Sequence, residues 1–419
     1  MVSIRTLVST GPGRLHLLQT ANALQASGED VRVISGWIPN ATAVAMGTVA
    51  ARCGVANTIV HRLQARAACD GFPRDRVTSC GIVDAAGMIA QRLVVGEGSV
   101  ASRTRRWAWE WFGRASRRHI RRADLLHVRS GAGGGGAIQA ARKQRMAVVS
   151  DHSIAHPSWM ADVLTDEYAR YGSPCPYRRA DPFWQGVEQD CLAADAVVVN
   201  SDFVAKTFME RGFPPERLHV AYLGVSPDWF GLKRSYATGQ RIRLLFVGEF
   251  GIRKGAGYLL DALTRLDPER RRFNLVVVGR HPELPLLARR HRIAPSDRFI
   301  GGLDAGGVRA HVAKADIFVF PSLAEGCAKA AMEALAAGLP LVATRETGLP
   351  PAADDHVLLV ASRSVESLCE ALTRLAADEN LRHRLGEGGS RLAAERFTWR
   401  RYGDQVRDFH LQVLTQLAG

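Results

Sequence analysis

The chain lacks the features that mark membrane-spanning, exported and disulfide-bonded proteins. No apolar run approaches the roughly 20 residues that a transmembrane helix needs. The opening residues MVSIRTLVSTGPG do not place a basic stretch before a long apolar core, which predicts that there is no signal peptide. The seven cysteines are scattered and form no C-x-x-C pair, which disfavours a disulfide framework and a zinc site. Together these scarcities favour a reducing, cytoplasmic setting.

Acidic side chains are also too few to balance the basic ones. The 55 Lys and Arg residues exceed the 41 Asp and Glu residues, which gives a formal net charge of +14. Such an excess indicates an acidic partner, which could be nucleic acid, an anionic bilayer or a phosphorylated substrate. The length of 419 residues favours two domains of roughly 200 residues each, and a hydrophobic content of 47% is typical of a globular chain.

Residues 316–344 predict the unit around which the chain is organised, a buried strand followed by a turn, a helix and a second strand. The apolar run 317–320 is typical of a central parallel strand, and strong helix formers then extend to Ala337. Gly338 fits a helix C-cap, and Pro340 prevents the helix from continuing. In open α/β sheets, ligands bind in the crevice beyond the carboxyl ends of such strands.

Two carboxylates lie in this unit with seven residues between them. The pattern places Glu325 in the turn after the strand and Glu333 on the helix, both directed toward the crevice. Carboxylates there suit the hydroxyl groups of sugars and ribose, and the backbone N–H groups of Cys327 and Ala328 would favour an anion. The alternative is that Glu325 starts a helix and Glu333 lies on the surface.

Strands alternate with helices along most of the chain, which predicts an α/β fold. A strand at 2–8, a glycine turn, an amphipathic helix and a strand at 31–34 form an opening βαβ unit. A polar stretch at 224–240 separates two such alternating regions, so we predict domains at 1–223 and 241–398 and a final helix at about 399–419. Further strands are predicted near 76–83, 124–129, 146–150, 196–199, 218–221, 274–280, 317–320 and 341–344.

Glycines at the first strand-to-helix turn and after the strand at 124–129 suggest close backbone approaches. Gly11 and Gly13 do not complete a dinucleotide fingerprint, because His16 stands where its last glycine would fall. A nicotinamide dehydrogenase is therefore disfavoured, while a ligand-facing turn and an ordinary tight turn both remain open. The run at 131–136 lacks the Lys-Ser/Thr of a P-loop, so a close-packed turn is favoured over a phosphate cradle.

Residues 103–122 form a basic stretch that contains Trp107, Trp109, Trp111 and Phe112. Basic residues with aromatics suit the surface of an anionic membrane. The same composition could bind RNA, or the tryptophans could pack on the domain from a solvated helix. Aromatics at this spacing do not form one clean helical stripe, which weakens the amphipathic interpretation.

Several motifs resemble family 4 of the retaining GT-B glycosyltransferases. They are the E-x7-E pattern inside EG…EALAAGLPLV, the VVNS strand ending at Ser201, and the segment GFPPERLHVAYLGVSPDWF. The resemblance covers nearly the whole chain and is weak at 40–123. It implies two Rossmann-like domains that face each other across a cleft, with the last helix crossing back to the first domain. It also implies a hexosyltransferase (EC 2.4) that uses a nucleotide-diphosphate sugar and retains the anomeric configuration.

The resemblance further implies roles for individual residues. Arg253 and Lys254 would stabilise the diphosphate leaving group without a metal or a cofactor, Glu325 would bind the transferred sugar, and Glu333 would bind the ribose. His152, which follows the strand at 146–150, would orient and polarise the donor sugar. In a front-face mechanism no protein base is required.

Other donor contacts are implied around these residues. They involve Gly11, Gly13, Gly248, Gly326, Cys327, Ala328 and Thr347, with Gly348 beside them and Arg280 and His281 as candidates near the base. One departure from the family pattern is Glu249, which stands after Gly248 where relatives carry an arginine. Asp151 is the one carboxylate that a double displacement could use, and that route is disfavoured.

The function predicted is sugar transfer to a glycan or lipid-linked acceptor in cell-surface polysaccharide synthesis. The protein would be cytoplasmic, with possible peripheral attachment to the inner face of the membrane through 103–122. An epimerase or phosphorylase of the same fold, and a non-catalytic binding protein suggested by Glu249, are the alternatives. No tandem aromatic-basic RNA motif is present, so nucleic acid is not an expected partner.

Overall fold

The computed structural model describes residues 3–40, 66–80 and 99–418, together with the isolated positions 42, 44, 45, 49 and 64. The helical patches predicted within 40–100 therefore lie largely outside the described residues. The described chain forms two lobes, each built on a parallel sheet.

The first lobe has a seven-stranded sheet in the order β3-β2-β1-β4-β5-β6-β7. Its central strands are apolar and buried on both faces, as parallel strands covered by helices should be. The register places Val8 of β1 opposite Val33 of β2, and Val149 of β5 opposite Ala196 of β6. The strands are β1 (Arg5–Ser9), β2 (Asp30–Ser35), β3 (Val77–Ser79), β4 (Leu125–Arg129), β5 (Ala147–His152), β6 (Ala196–Val199) and β7 (Leu218–Val220).

Helices follow most strands of this lobe. Ser201 caps the last of them by accepting a hydrogen bond from the Val204 N–H, and Pro157 and Pro182 each occupy a first helical position. The helices are α1 (Leu17–Ala26), α2 (Ser99–Ser116), α3 (Ala137–Lys143), α4 (Pro157–Arg170), α5 (Pro182–Ala193) and α6 (Asp202–Met209).

The second lobe has a six-stranded parallel sheet in the order β10-β9-β8-β11-β12-β13. Its strands are β8 (Ile242–Val247), β9 (Phe273–Val278), β10 (Arg298–Ile300), β11 (Ile317–Phe320), β12 (Leu341–Thr344) and β13 (Leu358–Val360). Its helices are α7 (Ala256–Leu266), α8 (Leu284–Leu287), α9 (Ala305–Lys314), α10 (Lys329–Ala336), α11 (Val365–Ala377) and α12 (Glu379–Arg396).

The final helix, α13 (Trp399–Ala418), leaves the second lobe and packs on α1 of the first. The hydroxyl of Tyr402 lies 3.0 Å from that of Thr20. Gly403 is required at this crossing, because a Cβ there would come within 2.4 Å of the Ala23 carbonyl oxygen.

The core of the second lobe extends into the first. Ala155, Met160, Leu164 and Tyr168, from α4 and the turn before it, belong to the same buried cluster as the strands of the second sheet. The two lobes therefore share apolar surface.

The prediction of two α/β domains, each built on a parallel sheet, is confirmed. The prediction that 158–195 is helical with a break at 174–182 corresponds to α4 and α5. The helix of the central unit begins at Lys329, so Ala328 is its N-cap.

Candidate active site

The two predicted cations and the first predicted carboxylate form one cluster. Arg253 and Lys254 lie in a 3-10 turn between β8 and α7, and Glu325 lies in the turn after β11, the neighbouring strand. One Arg253 guanidinium nitrogen is 2.6 Å from Glu325 Oε1, and the Lys254 ammonium contacts the same oxygen. The sheet order thus joins groups that are 71 and 72 positions apart in sequence.

Burial strengthens the attraction between the two cations and the Glu325 carboxylate. The three side chains are only 13–16% exposed. Although burial raises the pKa of Glu325, Arg253 and Lys254 hold that pKa below its usual range, so the carboxylate is ionised. Burial lowers the pKa of Lys254, whereas Glu325 outweighs burial at Arg253 and raises its pKa.

Protein groups enclose the cations on several sides. Arg253 donates to the Ala324 carbonyl at 2.6 Å and lies 5.9 Å from the centre of the Tyr177 ring. The Lys254 ammonium lies 4.7 Å from the centre of the Phe320 ring. Tyr177 comes from the first lobe and was missed in the sequence, where only its place in a proline-containing break could have drawn attention to it.

The turn that carries Glu325 is fixed to the first lobe by its backbone. The Ala155 N–H donates to the Glu325 carbonyl at 3.0 Å, and the Ser201 hydroxyl donates to the Gly326 carbonyl at 2.7 Å. A Cβ on Gly326 would come within 2.1 Å of the Ser153 carbonyl oxygen, so only glycine allows this approach. The Glu325 turn therefore sits directly against the end of β5.

Glu333 lies on α10 with its side chain 12% exposed, 3.5 Å from the Lys329 ammonium. Burial raises its pKa, and Lys329 and Arg309 partly offset that effect. No hydrogen bond or ion pair links Glu333 to Glu325 in the described part of the chain.

The residues after Glu325 are more engaged with the protein than the sequence suggested. The Ala328 N–H donates to the Thr347 carbonyl at 3.0 Å, so it does not point to an open anion site. The Thr347 hydroxyl donates to the Phe320 carbonyl at 2.9 Å. Burial, followed by the Glu325 charge, raises the pKa of the Cys327 thiol to about 12.

Gly348 packs against the Gly326 carbonyl. Donor roles for these residues remain predictions.

The end of β8 contains the departure from the family pattern. Gly248 is held by its N–H, which donates to the Val278 carbonyl at 2.9 Å. Glu249 lies 2.6 Å from an Arg280 guanidinium nitrogen on the neighbouring strand end. A guanidinium is therefore present at this edge, but it comes from a different strand and is paired. His281 Nδ1 lies 3.1 Å from the Gly279 carbonyl oxygen.

His152 is fully buried at the end of β5. Its Nδ1 lies 2.9 Å from the Ser130 hydroxyl and its ring packs on Phe208. Burial lowers its pKa to about 4, so the ring is neutral at neutral pH. Asp151 faces the interior, toward His16 and His127, which leaves it poorly placed as a nucleophile.

The first glycine turn approaches protein. A Cβ on Gly11 would lie 2.7 Å from the Trp109 ring, and φ at Gly11 is +70°. An Arg129 guanidinium nitrogen donates to the Gly13 carbonyl at 2.7 Å and lies over the same tryptophan. The close approach that these glycines predicted is therefore satisfied by Trp109 and Arg129, and their donor roles remain predictions.

The glycine run after β4 also binds a protein group. The N–H groups of Gly131 and Gly133 each donate to Asp190 Oδ2 at 2.7 Å. Burial raises the pKa of Asp190 to about 7 despite these hydrogen bonds. A Cβ on Gly135 would lie 2.1 Å from the Glu110 carbonyl, so α2 packs against this backbone. These contacts support the close-packed turn.

The aromatics of α2 divide between two faces. Trp109 and Phe112 are buried, whereas Trp107 and Trp111 are 49% and 37% exposed and stack with ring centres 6.0 Å apart. The prediction that these aromatics form no single stripe is therefore correct, because one pair lies on the buried face of α2 and the other on its exposed face.

Polar contacts between α4 and the second lobe were not predicted from the sequence. The buried Glu167 accepts from the Tyr258 hydroxyl at 2.9 Å and lies 2.7 Å from Arg363 Nε. Tyr168 donates to Glu283 at 2.8 Å. These polar contacts hold α4 against the second lobe.

Two further observations limit what the site contains. Within the described ranges, no three His, Cys, Asp or Glu side chains gather as a metal site would require. Among the helices of those same ranges, none is both long enough and apolar enough to cross a bilayer.

Comparisons with known proteins agree with this geometry. The model described as Glycosyltransferase Family 4 matches residues 14–229, just over half of the chain, and the model described as Glycosyl transferases group 1 matches residues 232–391. A D-inositol 3-phosphate glycosyltransferase of Saccharomonospora viridis is 32% identical over 259 residues, which cover 56% of this chain and 59% of that protein. An MMP alpha-(1->4)-mannosyltransferase of Mycolicibacterium hassiacum is 29% identical, with 54% and 55% covered. The chain thus spans less than two thirds of these relatives.

Solved structures share the fold at low identity. Sucrose-phosphate synthase from Thermosynechococcus elongatus superposes with a TM-score of 0.70 at 17% identity, covering 98% of this chain and 100% of that one. Anabaena Alr3699/HepE in complex with UDP-glucose gives a TM-score of 0.55 at 15% identity, covering 99% and 98%. Because one family model covers each lobe and the fold is GT-B throughout, the chain belongs to the group 1, family 4 glycosyltransferases.

Proposed function

We propose that this protein transfers a sugar from a nucleotide-diphosphate sugar, with retention, to a glycan or lipid-linked acceptor. The observation that carries the proposal is the buried cluster of Arg253, Lys254 and Glu325 beside the Ser153–Ala155 turn of the facing lobe. Two cations at the end of a parallel strand can accept a diphosphate, and a water-poor setting strengthens that interaction.

In the proposed reaction the bond between the anomeric carbon and the diphosphate oxygen breaks while a bond to the acceptor oxygen forms. Arg253 and Lys254 would stabilise the negative charge that develops on the departing diphosphate. Glu325, which already accepts from both cations, would hold sugar hydroxyls once a phosphate takes over part of that pairing. The departing phosphate oxygen would take the acceptor proton, so no protein base is needed.

The ribose of the donor would lie at Glu333. Its carboxylate is buried enough to make hydrogen bonds strong, and its present partner is the flexible Lys329 side chain. The neutral His152, which lies at the end of β5 beside the turn that contacts Glu325, would orient and polarise the donor sugar.

Names of relatives guide the choice of donors. One relative from Mycobacterium tuberculosis is a GDP-mannose-dependent phosphatidylinositol monomannoside mannosyltransferase, 28% identical over 238 residues. HepE was solved with UDP-glucose. We therefore propose GDP-mannose and UDP-glucose as the first donors to test, with inositol phosphates and lipid-linked glycans as acceptors.

The test is a donor panel assayed for turnover with and without an acceptor extract. We expect release of nucleoside diphosphate that requires the acceptor, and a product with the same anomeric configuration as the donor, assigned from the one-bond coupling between the anomeric carbon and its proton. Turnover without an acceptor would instead indicate an epimerase or phosphorylase. No binding of any nucleotide sugar by calorimetry would rule the proposal out.

A role in cell-surface polysaccharide synthesis at the inner face of the membrane is part of the proposal. It is supported by the exposed Trp107 and Trp111 pair on α2 and by the arginines around it.

A non-catalytic donor-binding role is the second candidate, favoured by the Glu249–Arg280 pair. In this arrangement the Arg280 guanidinium, at the end of the neighbouring strand, is paired with a carboxylate 2.6 Å away. Tight nucleotide-sugar binding with no transfer across the acceptor panel would support this candidate.

A further inference from the structure

A chain of buried titratable groups runs through the first lobe and ends on α13 and the start of β2. His16 Nε2, at the start of α1, lies 3.1 Å from the Asp151 carboxylate, and His127 Nε2 on β4 lies 3.3 Å from the same group. His127 Nδ1 lies 3.0 Å from His410 Nε2 on α13, and His410 Nδ1 lies 3.0 Å from Glu29 Oε1 before β2. All five side chains are buried.

The number of protons between the two carboxylates follows from these distances. Three contacts join Asp151, His127, His410 and Glu29, and each is short enough to be a hydrogen bond that holds one proton. Two neutral imidazoles supply only two protons. Three hydrogen bonds need three protons. The four groups must therefore hold one proton in addition to the two that neutral histidines carry.

We infer that the extra proton resides on His127, which is a buried imidazolium between the Asp151 carboxylate and the neutral His410. In this state His127 donates from both ring nitrogens, and His410 donates from Nδ1 to Glu29. Glu29 also accepts from the Thr6 hydroxyl, so both of its oxygens receive hydrogen bonds as an ionised carboxylate requires.

The neighbouring pKa shifts agree with this assignment. Although burial raises the pKa of Asp151, His16 and His127 hold that pKa well below its usual range. Burial lowers the pKa of His410, so that ring is neutral.

Groups that face the chain from other elements balance its charge. Burial lowers the pKa of Arg129, near Asp151, to about 10, which leaves the guanidinium charged at neutral pH. Burial lowers the pKa of His219, which interacts with His410, to about 4, and burial raises the pKa of Tyr402, so both are neutral. The Asp151 and Glu29 carboxylates are then offset by the His127 imidazolium and the Arg129 guanidinium.

This charge state would position His16. An ionised Asp151 accepts from His16 Nε2–H, which fixes the orientation of the ring. The chain thereby couples α13 to the turn that begins α1 and to the end of β5 beside the Glu325 turn. His127, His410 and Glu29 are positioning residues in this account, and their link to sugar transfer rests on the proposed function.

The test is ¹⁵N–¹H nuclear magnetic resonance of the histidine side chains in the full-length protein at pH 7.5. We expect His127 to carry a proton on both ring nitrogens and His16 to carry one on Nε2. A single ring proton on His127 would overturn the inference, because the extra proton would then belong to a carboxyl group.

A conservative variant sharpens this test. In Glu29→Gln the side-chain amide can donate to His410 Nδ1, so all three hydrogen bonds can form with neutral histidines. We expect His127 to lose its second ring proton in Glu29→Gln and to keep it in Asp30→Asn, the exposed neighbour that pairs with Arg76. Two ring protons on His127 in Glu29→Gln would contradict the proposed origin of the charge.

A kinetic readout separates this inference from the proposed function. If sugar transfer is established, Glu29→Gln should lower kcat about threefold to tenfold with little change in the donor KM, since Glu29 lies far from the donor cations. If no transfer is found, the resonance measurements still test the charge state.

Discussion

The two lobes have the same kind of turn at their strand ends, but different groups lie against those turns. Each has parallel strands that end in glycine-containing turns before helices. In the second lobe the turn carries Arg253 and Lys254, which both pair with Glu325. In the first lobe the turns are filled by protein, since Trp109 covers Gly11 and Asp190 occupies the glycine run. A glycine turn thus indicates a close approach, and the rest of the fold decides what approaches.

The largest expected effect tests the second-lobe edge. If the cations bind the leaving group, Lys254→Ala should lower kcat by about 100-fold to 1,000-fold, because a preorganised positive charge is removed from the transition state. Steady-state kinetics with the best donor of the panel measure this. The matched control is Arg265→Ala, whose exposed pair with Glu366 should be worth under ~1 kcal/mol. Equal rates in both variants would contradict the site.

The second prediction tests what fills the first-lobe turn. Gly11→Ala should lower the free energy of unfolding by about 2–4 kcal/mol, because the new methyl group combines left-handed strain with a clash against Trp109. Gly28→Ala is the control, since Gly28 has a φ of +97° but open space around it, and should cost about 1–2 kcal/mol. Chemical denaturation measures both. Equal losses of unfolding free energy in the two variants would mean that the Trp109 ring moves aside without cost.

The third prediction concerns the carboxylate in the glycine run. The pKa of Asp190 is raised to about 7, whereas an unfolded aspartate titrates near ~3.9. Between these values the folded state binds more protons, so the free energy of unfolding falls as the pH rises through this window. Asp190→Asn should flatten this fall by about 1–3 kcal/mol between pH 5 and pH 8.

Urea titrations at several pH values measure that slope. Asp228→Asn, at a position 69% exposed, should leave it unchanged. A wild-type slope in Asp190→Asn would show that another group is responsible.

The smallest effect concerns the outer face of α2. Replacing Trp107 and Trp111 together by Ala should weaken binding to anionic vesicles about tenfold, because both rings are partly exposed and available for insertion. Vesicle co-sedimentation at physiological salt measures this. Leu303→Ser with Leu417→Ser removes exposed apolar groups elsewhere and should have no effect. Unchanged sedimentation of the tryptophan variant would end the membrane proposal.

Features encoded in adjacent residues were predictable from the sequence. Hydrophobic runs between glycine and proline gave the strand and helix alternation, and the sheet order then brought Glu325 to Lys254. The contacts that fill the first lobe were not predictable, because they join distant segments. Trp109 covers Gly11, and His127 meets His410 across 283 positions. Nothing local to either histidine indicates the other.

The embedding of α4 in the core of the second lobe bears on how the protein could be divided. A fragment that begins in the linker would carry a complete second sheet yet leave uncovered the apolar surface that Met160, Leu164 and Tyr168 occupy. Such a fragment should aggregate when it is expressed by itself. Supplying the N-terminal half in trans should restore its solubility, which would make this interlocked helix a natural basis for a split-protein reporter.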